Sequence, residues 1–242
     1  MKKYLKNSII LILSTFAFNT GCQSTREPSR FRDMATVSPK LQEWHKSEIN
    51  AFVQSDSEQM PASGQALFIG SSSIRMWNTL SEDMAPVPTI NRGFGGSQTP
   101  EVLAVFDQIV VPYAPRIIVY YCGDNDLGTE NTDSSAAAMG FIQFARLAHN
   151  HWPETEIVYI PIKPSLARWS NWAAMEEANS IVEDYCNAMP HMTYADTVSP
   201  TLLEDGTPDP SIFLADGLHM NPKGYAIWTS VLRPIVHNAW EH

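Results

Sequence analysis

The feature that most constrains this chain is an alternation of short apolar runs with stretches of helical periodicity. Residues 66–69, 89–91, 116–121, 156–162 and 192–195 read as strands, and 116–121 is the richest in β-branched and aromatic residues. Residues 100–111, 134–149, 171–188 and 222–240 read as helices, the last with Pro234 as a kink. A further helical pattern opens at Ser38-Pro39, where Leu41, Trp44, Ile49 and Phe52 recur at helical spacing and Pro39 suits a first turn. Strands alternating with helices predict βαβ units, hence an α/β fold: a three-layer α/β/α sandwich around a five-stranded parallel sheet. No internal repeat divides the chain.

The first residues stand apart from that pattern. Lys2, Lys3 and Lys6 precede an apolar run from Ile9 to Phe18, and Gly21-Cys22 follows. A basic region, a short apolar stretch and a small residue read as an export signal over residues 1–21. The run is about half the roughly 20 residues that a spanning helix needs. Asn19-Thr20-Gly21-Cys22 partly matches a bacterial lipoprotein box, which makes Cys22 the expected lipidation site and residues 22–37 a polar tether. The single domain is then expected over 38–242. The location that follows is the periplasmic face of a bacterial membrane, with membrane contact only through the anchor.

Charge and cysteine usage narrow the function. The formal net charge is −10, and removing the signal takes three lysines from it. Such a surface repels phosphate backbones, so nucleic acid is excluded as a partner. Three cysteines do not make a disulfide scaffold; Cys122 falls in a strand-like run and Cys186 in a helix-like one, and both read as buried thiols.

In open parallel sheets, ligands bind at the carboxyl ends of the strands. Four such ends carry chemistry here. Gly70-Ser71-Ser72-Ser73-Ile74 follows the first strand, Asn91-Arg92-Gly93-Phe94-Gly95-Gly96-Ser97 the second, and Cys122-Gly123-Asp124-Asn125-Asp126 the third. Asp216-Gly217-Leu218-His219 follows the fifth. Together they offer a hydroxyl, closely approachable backbone, a side-chain amide, and a carboxylate three residues from an imidazole. Acyl transfer to water needs a nucleophile, oxyanion donors and an oriented general base. Any one of these loops alone reads as a turn or a helix cap.

Competing motifs fail on single positions. Ile74 stands where a Gly-x-Ser-x-Gly elbow needs its second glycine, and Gln98 where a dinucleotide loop needs its third. Asp124 to Gly128 hints at a calcium loop, but its glycine comes one residue early and no glutamate closes it. His149 and His151, with Arg146, suit a helix C-terminus better than a metal. Trp77, Phe94, Trp169 and Trp172 are core or pocket wall, and Trp77 and Trp169 are the candidates for substrate contact.

Over about residues 65–238 the chain resembles the SGNH hydrolase superfamily, also called GDSL-type esterases and lipases. Phe68-Ile69-Gly70-Ser71-Ser72 is similar to its first block, with Ser71 in place of the usual aspartate; Gly123-Asp124-Asn125-Asp126 matches its Gly-x-Asn-Asp, and Asp216 with His219 its Asp-x-x-His. The resemblance implies a flavodoxin-like sandwich with Ser72 as nucleophile, His219 as base and Asp216 as its orienting partner. It also implies an oxyanion hole from the Ser72 and Gly96 backbone, with Gly95 the competing assignment, and the Asn125 amide. No metal or organic cofactor is implied. Small-molecule or glycan esters are the implied substrates. The resemblance leaves carbohydrate deacetylase, lysophospholipase, thioesterase and arylesterase activities open. A non-catalytic ligand-binding lipoprotein on the same scaffold is the rival. The sequence shows no long apolar insertion that could form a lid, and a shallow site favours short acyl groups.

Overall fold

The computed structural model describes residues 27–128 and 133–242. Five strands, β1 (Ala66–Gly70), β2 (Thr89–Gly93), β3 (Ile117–Tyr121), β4 (Glu156–Tyr159) and β5 (Met192–Tyr194), form one sheet in the order β2-β1-β3-β4-β5, every pair parallel. The helices are α1 (Ser29–Arg32), α2 (Lys46–Glu58), α3 (Ser72–Arg75), α4 (Leu80–Asp83), α5 (Thr99–Ala104), α6 (Phe106–Ile109), α7 (Ser134–His151), α8 (Trp172–Ala188) and α9 (Pro222–Glu241). The expected three-layer α/β/α fold with a parallel sheet is the observed one.

Strand side chains alternate between two cores, as the period of two requires. Leu67, Ile69, Ile118, Tyr120, Ile157 and Tyr159 point into a core closed by α2, α5, α6, α7 and α8. Ala66, Phe68, Ile117, Val119, Tyr121 and Val158 point into a second core closed by α3, α4 and α9 through Trp77, Leu80, Trp228 and Leu232. β1 and β3 are buried on both faces, which explains their unbroken apolar runs.

Three expectations about the chain's organisation change. The helix expected from Ser38-Pro39 begins as a 3-10 turn at Glu43–His45 and becomes α2 only at Lys46. Lys40 instead donates its backbone N–H to the Pro100 carbonyl, which fastens this stretch, without regular structure, to the start of α5. The single helix expected over 100–111 is two, α5 and α6, with a 3-10 turn at Val111–Tyr113. The tether expected over 22–37 is docked from Glu27 onward. Phe31 is buried and meets Tyr185 edge-on at 5.1 Å, while Arg146 grips Glu27 Oε1 at 2.8 Å and the Phe31 carbonyl at 2.9 Å. Phe31, Met34 and Val37, scattered in a polar stretch, pack on the core and outweigh its tether-like composition. Cys22 and residues 1–21 lie outside the described residues. Cys122 and Cys186 are buried, free thiols, and burial pushes both pKa values up. Among the described residues, no helix is long and apolar enough to cross a membrane.

Candidate active site

The register of β1 against β3 builds the first half of the site. Gly70 pairs with Tyr121, and its φ of +138° sends the chain sharply past the end of β3. A Cβ there would lie 1.7 Å from the Tyr121 carbonyl oxygen, so only glycine permits the approach. Ser71 then donates its N–H to that carbonyl, and Ser72 becomes the first residue of α3. The Tyr225 hydroxyl and the Asn91 amide donate to the Ser73 and Ile74 carbonyls and fasten this turn to α9 and β2.

Ser72 Oγ lies 2.9 Å from His219 Nε2, and His219 Nδ1 lies 2.6 Å from Asp216 Oδ2. Serine and histidine are 147 positions apart in sequence. The Asp216 carboxylate folds its own loop: Oδ1 accepts the N–H groups of Leu218 and His219 at 2.9 and 3.0 Å, while Oδ2 orients the imidazole. The hydrogen bond from His219, then those from the loop N–H groups, hold its pKa down to about 2. Asp216 therefore stays ionised through the working range of an imidazole base. The helix-cap alternative for this pair does not hold, because Asn221 caps α9 by accepting from Lys223 and Gly224.

The two glycines after β2 differ in what they touch. Gly95 is committed: its N–H donates to Glu48 Oε2 at 2.8 Å, and its carbonyl lies 2.9 Å from Nε2 of the buried His45. Gly96 has φ +70°, and a Cβ on it would meet nothing within 4 Å. It faces open space, which is what a backbone approached by a ligand requires. Sequence reasoning missed Glu48 and His45, because nothing local marks a helix residue as the partner of a loop 47 positions away.

The loop after β3 is held from three sides. Asn125 Nδ2 donates to the Ser97 carbonyl at 3.0 Å, and Arg168 Nη2 donates to Asn125 Oδ1 at 2.9 Å. Asp126 accepts the N–H and hydroxyl of Thr99 and so ties this loop to the start of α5. Burial pushes the Asp126 pKa up to about 6 despite those bonds. Asp124 is buried, with Arg168 Nη1 at 3.3 Å and Lys163 Nζ at 3.9 Å from Oδ2. Ser71 Oγ makes a long, 3.4 Å contact to the other Asp124 oxygen. This accounts for the departure at Ser71: an aspartate there would set a second buried carboxylate against Asp124. Burial lowers the Lys163 pKa, and Asp124 opposes that shift.

Lys163 and Arg168 follow the fourth strand, whose trailing loop the sequence marked only through its aromatic residues Trp169 and Trp172. The rule that picked out the other loops would have found them.

The aromatic candidates separate. Trp77 belongs to the second core. It is 1% exposed, packs edge-on against Phe68 and Trp228, and spends its indole N–H on Asp83. An apolar residue just past a motif has the composition of either role, and the second core claimed this one. Phe94 is likewise core. Trp169 is 37% exposed, adjoins Arg168 and stacks on Trp172 at 6.0 Å. Among the described residues, no group of three or more His, Cys, Asp or Glu side chains is placed to hold a metal ion. His149 instead bonds the Thr155 carbonyl at 3.0 Å.

Comparison with known proteins bears on the family and the fold. The sequence model described as "GDSL-like Lipase/Acylhydrolase family" matches residues 69–227. No curated protein sequence matches the chain. Among solved structures, a GDSL-like lipase from Bacteroides thetaiotaomicron superimposes with a TM-score of 0.67 at 19% identity, covering 79% of this chain and 98% of the other. A carbohydrate esterase family 3 protein from Talaromyces cellulolyticus gives 0.60 at 14% identity, with coverage of 74% and 99%. A catalytic mutant of an acetylxylan esterase from Geobacillus stearothermophilus gives 0.57 at 12% identity, with coverage of 73% and 95%. At such identities these likenesses establish a shared fold.

Proposed function

Because the chain belongs to the GDSL-like lipase/acylhydrolase family and is an ester hydrolase, we propose that it cleaves short-acyl, acetyl-type esters, with carbohydrate-borne acetyl groups as the substrate class. The observation that carries the mechanism is the unbroken chain from Ser72 Oγ through His219 to Asp216, at 2.9 and 2.6 Å. Ser72 attacks the ester carbonyl while His219 Nε2 takes its proton. Asp216 fixes the tautomer and stabilises the imidazolium without accepting the proton. The oxyanion is held by the Ser72 and Gly96 N–H groups and the Asn125 amide. His219 returns the proton to the leaving alcohol, and water resolves the acyl-enzyme by the same route in reverse.

One feature supports the short acyl group and another the carbohydrate. The Asp216 side chain is 48% exposed and that of His219 23%, so the His-Asp arm of the site lies at the surface rather than down a tunnel. A methylene gains about 0.8 kcal/mol only when it is buried. Exposed Trp169, beside Arg168, offers an aromatic face suited to a sugar ring. The export signal and the lipidated Cys22 complete the reading: an anchored enzyme on the periplasmic face, acting on esters outside the cytoplasm.

The test combines covalent labelling with a chain-length series. A fluorophosphonate should label Ser72, and Ser72→Ala should lose nearly all turnover of p-nitrophenyl acetate while keeping its fold. The kcat/KM series should peak at C2–C3 and fall by C8. Labelling elsewhere would overturn the triad, and a peak at C8 or beyond would overturn the substrate class.

A further inference from the structure

An asparagine amide has two ends of similar shape and opposite polarity, and only the NH₂ end can stabilise an oxyanion. Both neighbours of the Asn125 amide are chemically one-directional. A guanidinium only donates, and Arg168 Nη2 lies 2.9 Å from Oδ1. A backbone carbonyl only accepts, and that of Ser97 lies 3.0 Å from Nδ2. A flipped amide would set NH₂ against the guanidinium and Oδ1 against the Ser97 oxygen, two repulsive contacts in place of two hydrogen bonds. The observed orientation leaves one Nδ2 proton uncommitted among the described residues.

Arg168 is itself fixed. Nη1 donates to the Asp124 carbonyl at 2.7 Å and lies 3.3 Å from the buried Asp124 carboxylate. A Cβ on Gly128 would come within 2.9 Å of the guanidinium, so the loop closes tightly over it. One planar fork thus spans Asp124 and Asn125, which a point charge cannot do.

We infer that Arg168 is a positioning residue that selects the end of the Asn125 amide presented to the substrate. The inference rests on the oxyanion role proposed above for Asn125. Arg168 touches no reacting atom in this scheme; it acts through Asn125. Losing it frees the amide to rotate, and misplacement of a catalytic group on this scale costs about 10²-fold in rate.

A double-mutant cycle on p-nitrophenyl acetate tests it, with far-UV circular dichroism to confirm folding. Arg168→Ala should lower kcat about 10²-fold with KM within about twofold of wild type, the signature of an interaction made in the transition state. Asn125→Ala should lower kcat by about 10²–10³-fold. In the Asn125→Ala background, adding Arg168→Ala should cost no more than about threefold. Added guanidinium should restore part of the kcat of Arg168→Ala and none in the double mutant. Arg168→Lys, which keeps the charge but not the fork, should fall between wild type and alanine; it replaces Arg168→Ala throughout the cycle if the alanine variant fails to fold. Equal losses in both backgrounds, or a change confined to KM, overturn the inference. If Asn125→Ala leaves kcat intact, the oxyanion reading itself fails. If Asn125→Ala is crippled while Arg168→Ala is not, only the role of Arg168 fails.

Discussion

Removal of the Glu48 carboxylate tests whether the segment ahead of β1 belongs to the catalytic domain or merely rests on it. Glu48 lies on α2, outside the residues matched by the family model, yet one oxygen accepts the Gly95 N–H at 2.8 Å and the other faces Arg75 Nη1 at 3.3 Å. It joins the loop bearing Gly96 to the helix bearing Ser72. A hydrogen bond to a charged acceptor contributes about 1.5–3 kcal/mol. The ion pair is 49% and 31% exposed and adds only about 0.2–1 kcal/mol. Glu48→Ala should therefore cost about 2–3 kcal/mol, a fall in Tm of roughly 5–10 °C for a chain of this size. Glu48→Gln keeps an acceptor for Gly95 and loses the charge, so it should cost about half as much. Thermal unfolding by circular dichroism gives the stabilities, and kcat on p-nitrophenyl acetate reports the loop, which should fall in the same order. A Glu48→Ala protein within about 0.5 kcal/mol of wild type and with unchanged kcat would refute the brace. A stability loss without a kcat loss would confine Glu48 to the fold.

Three further outcomes are expected. Gly96→Ala puts a methyl at φ +70°, which costs about 1–2 kcal/mol of stability; because that methyl enters the space left for substrate, activity should fall far more steeply than stability, and a parallel loss would place the substrate elsewhere. Asp126, raised to about 6, keeps a proton in the folded state that the unfolded chain releases near its ordinary value of 3.8. Stability from this group should thus decline as pH rises from about 4 to 6 and level off above that; Asp126→Asn should lack this component in urea melts at pH 4 and 7.5, and an unchanged pH dependence would contradict the burial argument. Cys22→Ala should move the protein from the membrane fraction to the soluble periplasm, or block its processing, with specific activity retained; a wild-type protein already soluble there would refute the anchor.

Much of the fold and site was legible in the linear chain because the relevant physics is local. Apolar runs bounded by glycine set the strands, and a parallel sheet places its chemistry at strand ends, which singled out the loops that carry Ser72, Asn125 and the Asp216–His219 pair; the family resemblance chose among the residues of those loops. That loop is self-contained: one carboxylate folds it through N–H groups two and three residues on and orients the imidazole as it does so. What only the tertiary structure decided depends on pairs far apart in sequence. The Gly70–Tyr121 register sets Ser71 beside Asp124, and so explains a serine where the family carries aspartate. Gly95 is tied to Glu48, 47 positions away, which leaves Gly96 as the proposed oxyanion donor, and Asn125 Oδ1 is held by Arg168, 43 positions away. Trp77 and Trp169 have the same side chain and both follow a strand end, yet one is core and the other surface. Composition cannot separate them, because burial is a property of what packs against a residue, and that is settled only when the layers close.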